Sequence, residues 1–179
     1  EVTDSQLRGD YRIFRVRQDF AVSPRTGRTH DFFVLEAPGW VNVVAVTGGG
    51  QLVMVEQFRH GIRDMTLEIP GGVMDESDAG PVEAAVRELR EETGYEGHRT
   101  RLMGWVYPNP AILNNKCYFV LIEGCEKRHE VKWDPDEELK VHLVSAGDVP
   151  GMLRDGRIRH SLVTAALGAW LLEGKAGTV

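Results

Sequence analysis

The chain has 179 residues, of which 42% are hydrophobic, and carries a formal net charge of −6. This length suits one main domain, and the acidic balance disfavours a general nucleic-acid binder, because such proteins carry a basic field. Cys117 and Cys125 are too few for a disulfide framework or a structural zinc site. The sequence shows neither a long apolar run nor the layout of a secretory signal in its first residues. We therefore expect a cytoplasmic protein with neither nucleic-acid nor membrane partners.

The first half of the chain is predicted to form strands. "YRIFRVRQDF" and "HDFFVLEA" are rich in aromatic and β-branched residues and flank a turn with Pro24 and Gly27, which predicts an antiparallel hairpin. "WVNVVAVT" and "QLVMVEQF" flank Gly48–Gly50 and predict a second hairpin. A phosphate loop at these glycines is disfavoured, because the Lys-Ser/Thr pair that it requires is missing. "MTLEIPGG" reads as a short strand that Pro70 stops.

Pro81 and Gly94 delimit a helix over Pro81–Thr93, since proline suits the first turn of a helix and glycine its C-cap. Further strands are predicted at "RLMGWVY", "KCYFVLIEG" and "LKVHLVS", and a last helix at "SLVTAALGAWLLEGK". Strands, helix, strands and helix in this order predict an α+β fold or a mixed sheet between helices.

Three acids, Glu88, Glu91 and Glu92, become neighbours on this helix and repel by a few tenths of a kcal/mol per pair. They lie beside the predicted buried stripe, which consists of Val82, Ala85, Val86, Leu89 and Thr93. One interpretation is a solvated face with Arg87 and Glu91 as an ion pair. The other is a Mg²⁺ or Mn²⁺ site, because clustered carboxylates near a glycine turn supply the hard oxygen ligands that these ions prefer. The position of the acids beside the stripe favours the metal.

The segment "GGVMDESDAGPVEAAVRELREETGY" resembles the Nudix box, in which a glycine and a glutamate precede Arg-Glu-aliphatic-any-Glu-Glu-any-Gly-aliphatic. The second half matches residue by residue, at Arg87, Glu88, Leu89, Glu91, Glu92 and Gly94. Tyr95 replaces the final aliphatic residue. The first half departs from the pattern, so that either Asp78 or Glu76 takes the place of the usual front glutamate.

This resemblance implies a Nudix fold, a mixed β-sheet between helices, in residues 39–179. Residues 1–38 are then an N-terminal antiparallel hairpin extension, which in similar proteins helps to build a homodimer. The resemblance also implies that Glu88, Glu92 and Glu91 bind the metal and that Arg87 orients them. Gly71 or Gly72 adds a backbone carbonyl, with Gly72 preferred.

The implied reaction is the Mg²⁺- or Mn²⁺-dependent hydrolysis of a nucleoside diphosphate sugar. "VEQFRHGIRD" resembles a segment of ADP-ribose pyrophosphatases in which an arginine contacts the diphosphate, and Arg59 matches it. The alternative for this residue is a surface arginine paired with Glu56 or Asp64.

Two further segments resemble the same subfamily. Pro110 lies near the sequence position at which those enzymes carry a proline. "DPDEELKVHLVS" resembles the segment that carries their water-activating acid. Glu137 suits that acid best and Glu138 is the second choice. Trp40, Trp105 and Tyr107 are candidates for stacking on a base, although aromatic residues in strands are more often core.

ADP-ribose, cleaved to AMP and ribose 5-phosphate, is therefore the expected substrate. Another nucleotide sugar such as GDP-mannose remains an alternative. So does a non-catalytic domain that senses ADP-ribose.

Overall fold

The computed structural model describes residues 1–133 and 138–176. Its strands are β1 (Val2–Asp10), β2 (Arg15–Val22), β3 (Thr29–Glu36), β4 (Trp40–Thr47), β5 (Gln51–Arg59), β6 (Asp64–Glu68), β7 (Gly71–Val73), β8 (Tyr95–Glu96), β9 (Arg99–Val106), β10 (Cys117–Lys127) and β11 (Leu139–Ser145). Its helices are α1 (Pro81–Thr93), α2 (Val149–Arg154) and α3 (Ser161–Ala176). These elements form two compact units, one of Glu1–Gly39 with Val106–Lys116 and one of Trp40–Trp105 with Cys117–Val179.

The first unit contains a three-stranded antiparallel sheet in the order β1-β2-β3. The predicted hairpin is present as β2 and β3, but its first strand begins at Arg15 rather than Tyr11, because Tyr11 donates to the Phe14 carbonyl in a turn at 2.9 Å. Arg12 has a φ of 67° there, which a strand does not allow. The prediction missed β1, since nearly all of its residues are exposed and it lacks the alternation that marks a strand with one buried face.

The segment Val106–Lys116 also belongs to the first unit. Leu35 donates to the Ile112 carbonyl at 2.7 Å, and the Asn115 amide donates to the Pro38 carbonyl at 2.9 Å. No local pattern predicts this association, because the bonds join groups that lie far apart in the chain.

The second unit is built on an eight-stranded mixed sheet. Its central order is β11-β5-β4-β10-β8, with β10 parallel to β4 and the other pairs antiparallel. The predicted hairpin at Gly48–Gly50 is confirmed, and Gly50 takes the positive φ of 72° that its turn requires.

Strands β4 and β5 diverge soon after this hairpin. They pair only at Val46 and Leu52, beyond which β6 pairs with β5 and β7 pairs with β4. The chain passes from β6 to β7 through Ile69 and Pro70, and the Pro70 carbonyl accepts from Val43 N at 2.8 Å. The end of β6 and the start of β7 therefore lie where β4 and β5 separate.

Helix α1 packs its small and aliphatic residues on one face of this sheet. Ala84, Ala85 and Leu89 lie in a core cluster with Val41 and Val43. Fully burying an aliphatic side chain such as Leu89 contributes about 1.5–3 kcal/mol, so this contact fixes the position of the helix on the sheet.

The predicted buried stripe of α1 was wrong at its first residue. Val82 is 37% exposed and lines an open groove with Pro81 and Leu102, because the first turn of the helix extends past the core. Ala84 and Glu92 are buried instead.

Candidate active site

The predicted bounds of α1 are confirmed at both ends. Pro81 occupies the first turn, and Gly94 has a φ of 74° and donates to the Arg90 carbonyl at 2.9 Å. Such a C-cap favours glycine, since other residues strain in the left-handed region. The caps therefore fix where the acids of α1 fall along the sheet.

Glu92 is an ionisable residue in a buried position. The residue is only 4% exposed. Its Oε2 accepts a hydrogen bond from the backbone N–H of Gly71 at 3.0 Å. A buried carboxylate is costly unless hydrogen bonds compensate it. The bond to Gly71 ties the last turn of α1 to the start of β7.

Glu88 lies against the next residue of β7. A Cβ atom added to Gly72 would come within 2.6 Å of the Glu88 carboxyl carbon, closer than any side chain tolerates. Any larger residue at position 72 would therefore require the Glu88 carboxylate to shift. Glu88 and Glu92 are thus gathered beside the two box glycines.

Arg87 connects the acids of the box. Its Nε and Nη2 donate to the two carboxylate oxygens of Asp78 at 3.1 and 2.9 Å. Its Nη1 donates to Glu88 at 2.9 Å and to Glu91 at 3.1 Å. A fifth bond, from Nη2 to the Val73 carbonyl at 3.1 Å, holds the guanidinium to β7. One arginine therefore offsets the mutual repulsion that the sequence predicted for these glutamates.

These contacts shift the pKa values of both partners. The hydrogen bonds to Asp78 are the main reason why the pKa of Arg87 is raised. The same bonds lower the pKa of Asp78, more than its burial raises it. Of the two front acids, the structure brings Asp78 to Arg87, with an Asp78 side chain that is only 4% exposed.

Arg59 is paired, but with neither of the acids that the sequence suggested. Its Nε and Nη2 donate to the two carboxylate oxygens of Glu68 at 2.8 and 2.7 Å. Asp64 instead accepts from Arg159, and Glu56 lies beside His142. The prediction overlooked Glu68 because nine residues separate it from Arg59. The β5–β6 register sets Arg59 opposite Asp64 and Glu68 opposite Val55, so the Arg59 side chain has to reach back along the strands to meet Glu68.

The segment before the undescribed residues 134–137 closes the C-terminal end of α1. Lys132 N donates to the Glu91 carbonyl at 2.8 Å, and Trp133 Nε1 donates to the Glu92 carbonyl at 2.9 Å. Carbonyls in the last turn have no partner within the helix, so these bonds satisfy them. Nothing in the local sequence pattern predicts this role of Trp133.

The remaining predicted site residues are Glu138, Pro110 and Glu137. Glu138 is exposed just before β11, and Pro110 lies in an exposed turn of the first unit. Glu137 falls outside the described residues. Their roles stay predictions.

The donor set suits a hard divalent cation. Carboxylate oxygens of Glu88 and Glu92 lie beside the Gly71–Gly72 backbone, and carboxylate and carbonyl oxygens are the donors that such an ion prefers. Across residues 1–133 and 138–176, no three His, Cys, Asp or Glu side chains converge as a ready cation site.

Comparison with known proteins agrees with the geometry of the box. The NUDIX domain matches residues 38–167, which is most of the chain. The protein therefore belongs to the NUDIX family. Within that family it is a pyrophosphohydrolase similar to ADP-ribose pyrophosphatases, and the resemblance read from the box is confirmed.

Individual relatives cover different shares of the chain. A methanol dehydrogenase activator of Bacillus methanolicus is 27% identical over 157 residues, 87% of this chain and 84% of its own. An ADP-ribose pyrophosphatase of Bacillus subtilis is 33% identical over 64% of this chain and 62% of its own. One of Mycobacterium tuberculosis is 38% identical over 47% and 40%.

A solved structure shares the whole fold. The crystal structure of an ADP compounds hydrolase superposes with a TM-score of 0.85, covering 98% of this chain and 95% of that one at 18% identity. The predicted fold class, a mixed sheet with helices and an N-terminal antiparallel hairpin, is confirmed. In the described ranges, no helix is long and apolar enough to cross a membrane.

Proposed function

We propose that the enzyme hydrolyses the diphosphate bond of ADP-ribose, releasing AMP and ribose 5-phosphate. The observation that carries this proposal is the placement of Glu88 and Glu92 beside Gly71 and Gly72, with Arg87 bonded to the acids. The similarity to ADP-ribose pyrophosphatases supports adenine as the base.

Glu88 and Glu92 would hold Mg²⁺ or Mn²⁺, with Glu91 as a third acid and the Gly72 carbonyl as a backbone ligand. A bound divalent ion supplies charge neutralisation at phosphate oxygens and a more acidic water. The contribution of the chain itself would be to orient these carboxylates. Arg87 does this through its bonds to Glu88 and Glu91, while Asp78 anchors the arginine.

Substrate binding is assigned to residues outside the helix. Arg59 would contact the diphosphate, since its planar guanidinium can donate to two phosphate oxygens. Pro110 would line the site. Glu137 would act on the attacking water, with Glu138 as the second choice.

The first 38 residues would form a dimerisation element, and the remainder, 39–179, the hydrolase domain. Leu7 and Phe32 lie on one face of the N-terminal sheet and are more than half exposed, which suits a surface that a second copy covers. A cytoplasmic location is consistent with Cys117 and Cys125, both of which are free thiols.

A direct test offers ADP-ribose and GDP-mannose side by side with Mg²⁺ and identifies the products. Cleavage of ADP-ribose to AMP and ribose 5-phosphate is expected. Cleavage of GDP-mannose alone would overturn the adenine assignment. ADP-ribose bound but left intact, measured by calorimetry, would indicate a sensor domain instead.

A further inference from the structure

Glu68 is a buried acid in the second unit that lies outside the Nudix box. It ends β6, just before the chain crosses to β7, and is only 2% exposed. Burying a carboxylate costs free energy unless charged or hydrogen-bonding partners compensate it. We therefore expect compensating contacts around the Glu68 carboxylate.

The surroundings of Glu68 converge on its two carboxylate oxygens. Arg59 binds both in a bidentate fork, and the Thr66 hydroxyl donates to Oε1 at 2.5 Å. Burial alone would raise the pKa of Glu68, but the bonds from Arg59 and Thr66 outweigh it and the pKa is lowered. Glu68 is thus a fixed negative charge.

The connection between α2 and α3 contacts the same place. His160 Nε2 lies 4.0 Å from Glu68 Oε2, and Arg159 donates to Asp64, at the start of β6, at 3.2 Å. The connection between α2 and α3 therefore contacts β6 from a second direction, in addition to the contacts that Arg59 and Thr66 make with Glu68.

Arg59 differs from Glu68 in its exposure. The arginine side chain is 41% exposed, while the Glu68 side chain is 3% exposed. A guanidinium at the end of a strand has several rotatable bonds, and a bidentate carboxylate removes most of that freedom. The buried acid therefore determines which way the exposed arginine faces.

We infer that Glu68 is a positioning residue, which orients the Arg59 guanidinium toward the substrate diphosphate, with Thr66 holding the acid in place. This inference rests on the proposed function, because Arg59 has a diphosphate to meet only if the enzyme binds one. Glu68 itself touches no reacting atom. Its effect passes entirely through Arg59.

A double-mutant cycle tests this dependence in the full chain. Michaelis constants and turnover for ADP-ribose with Mg²⁺ are measured for wild type, Glu68→Gln, Arg59→Gln and the double variant. Losing one charged hydrogen bond corresponds to about a ten- to hundredfold rise in KM. We expect that rise in each single variant, nearly unchanged turnover, and no further rise in the double variant.

Two more variants guard the result against misfolding. Thr66→Val leaves the ion pair intact and should raise KM less than Glu68→Gln does. Glu56→Gln, which changes an acid of neighbouring β5 that contacts His142, should leave KM unchanged.

Additive losses in the double variant would overturn the inference, as would an unchanged KM in both Glu68→Gln and Thr66→Val. If Arg59→Gln leaves KM unchanged, the arginine does not contact the substrate and the inference is wrong. Cleavage of ADP-ribose by the wild type would still support the proposed function in that case. If wild type cleaves a different nucleotide sugar, the proposed substrate is wrong and the cycle is read on that sugar. If it binds ADP-ribose without cleaving it, the cycle is read from dissociation constants.

Discussion

The guanidinium of Arg87 donates to both carboxylate oxygens of Asp78, while its third nitrogen donates to Glu88 and Glu91. Asp78 lies at the front of the box, where the usual pattern has a glutamate, and the extra residue before α1 does not prevent the contact. A single arginine therefore links the irregular front of the box to the regular helix. The stability and the activity of the site are expected to depend on this link.

Asp78→Asn should destabilise the protein and loosen the box. Asparagine keeps the size of the side chain but removes the charge that accepts two bonds from Arg87, a loss of about 1.5–3 kcal/mol. Thermal and urea unfolding measure this change. Asp75→Asn is the matched control, since Asp75 is 60% exposed and lies 3.7 Å from Arg87. Equal destabilisation by both changes would contradict the assigned importance of Asp78.

Stability should fall in acid because Asp78 and Glu68 both have lowered pKa values in the folded protein. Their ordinary values are about 3.9 and 4.3, so the unfolded chain takes up protons first and pulls the equilibrium toward unfolding. The stabilisation is present above those values and is lost as pH falls through the folded pKa values. Urea unfolding from pH 6 downward measures the slope, and Asp78→Asn should make it shallower. An unchanged slope in the variant would argue against the assignment.

Gly72→Ala should impair the site more than the fold. The added methyl group would meet the Glu88 carboxyl, which must then move. We expect weaker Mn²⁺ binding by electron paramagnetic resonance and at least about a tenfold loss of activity. Gly48→Ala is the control, because a Cβ at that position meets nothing within 4 Å. Wild-type Mn²⁺ affinity in Gly72→Ala would show that the close approach has no role.

Glu92→Gln should reduce turnover by orders of magnitude in a protein that still folds. The amide keeps an oxygen to accept from Gly71 but removes the negative charge that a cation requires. Steady-state kinetics and circular dichroism measure the two properties together. Glu83→Gln, on the exposed first turn of α1, should behave as wild type. Unchanged turnover in Glu92→Gln would remove α1 from the chemistry.

The sequence predicted the parts of the fold that local chemistry decides. The helix Pro81–Thr93 follows from its proline and glycine boundaries, and β11 from its alternating residues. By contrast, β1 is exposed on both sides and carries no hydrophobic pattern. Local sequence also does not indicate which acid an arginine side chain reaches once strands have paired. Arg59 lies opposite Asp64 in the sheet but binds Glu68.

Within the box, the acids were evident but their arrangement was not. The helical spacing of Glu88, Glu91 and Glu92 follows from 3.6 residues per turn. The burial of Glu92 and its bond to Gly71 depend on how β7 packs against α1, which spacing alone does not determine. The contact between Asp78 and Arg87 likewise required the path of the loop before the helix.

The most direct test follows the products of ADP-ribose hydrolysis by phosphorus NMR, in wild type and Glu92→Gln, with Mg²⁺ and again with excess EDTA. The wild-type enzyme with Mg²⁺ should yield AMP and ribose 5-phosphate, and the other three combinations should leave ADP-ribose largely intact. Hydrolysis that persists in EDTA, or that continues unchanged in Glu92→Gln, would contradict a metal-dependent reaction at the carboxylates of α1.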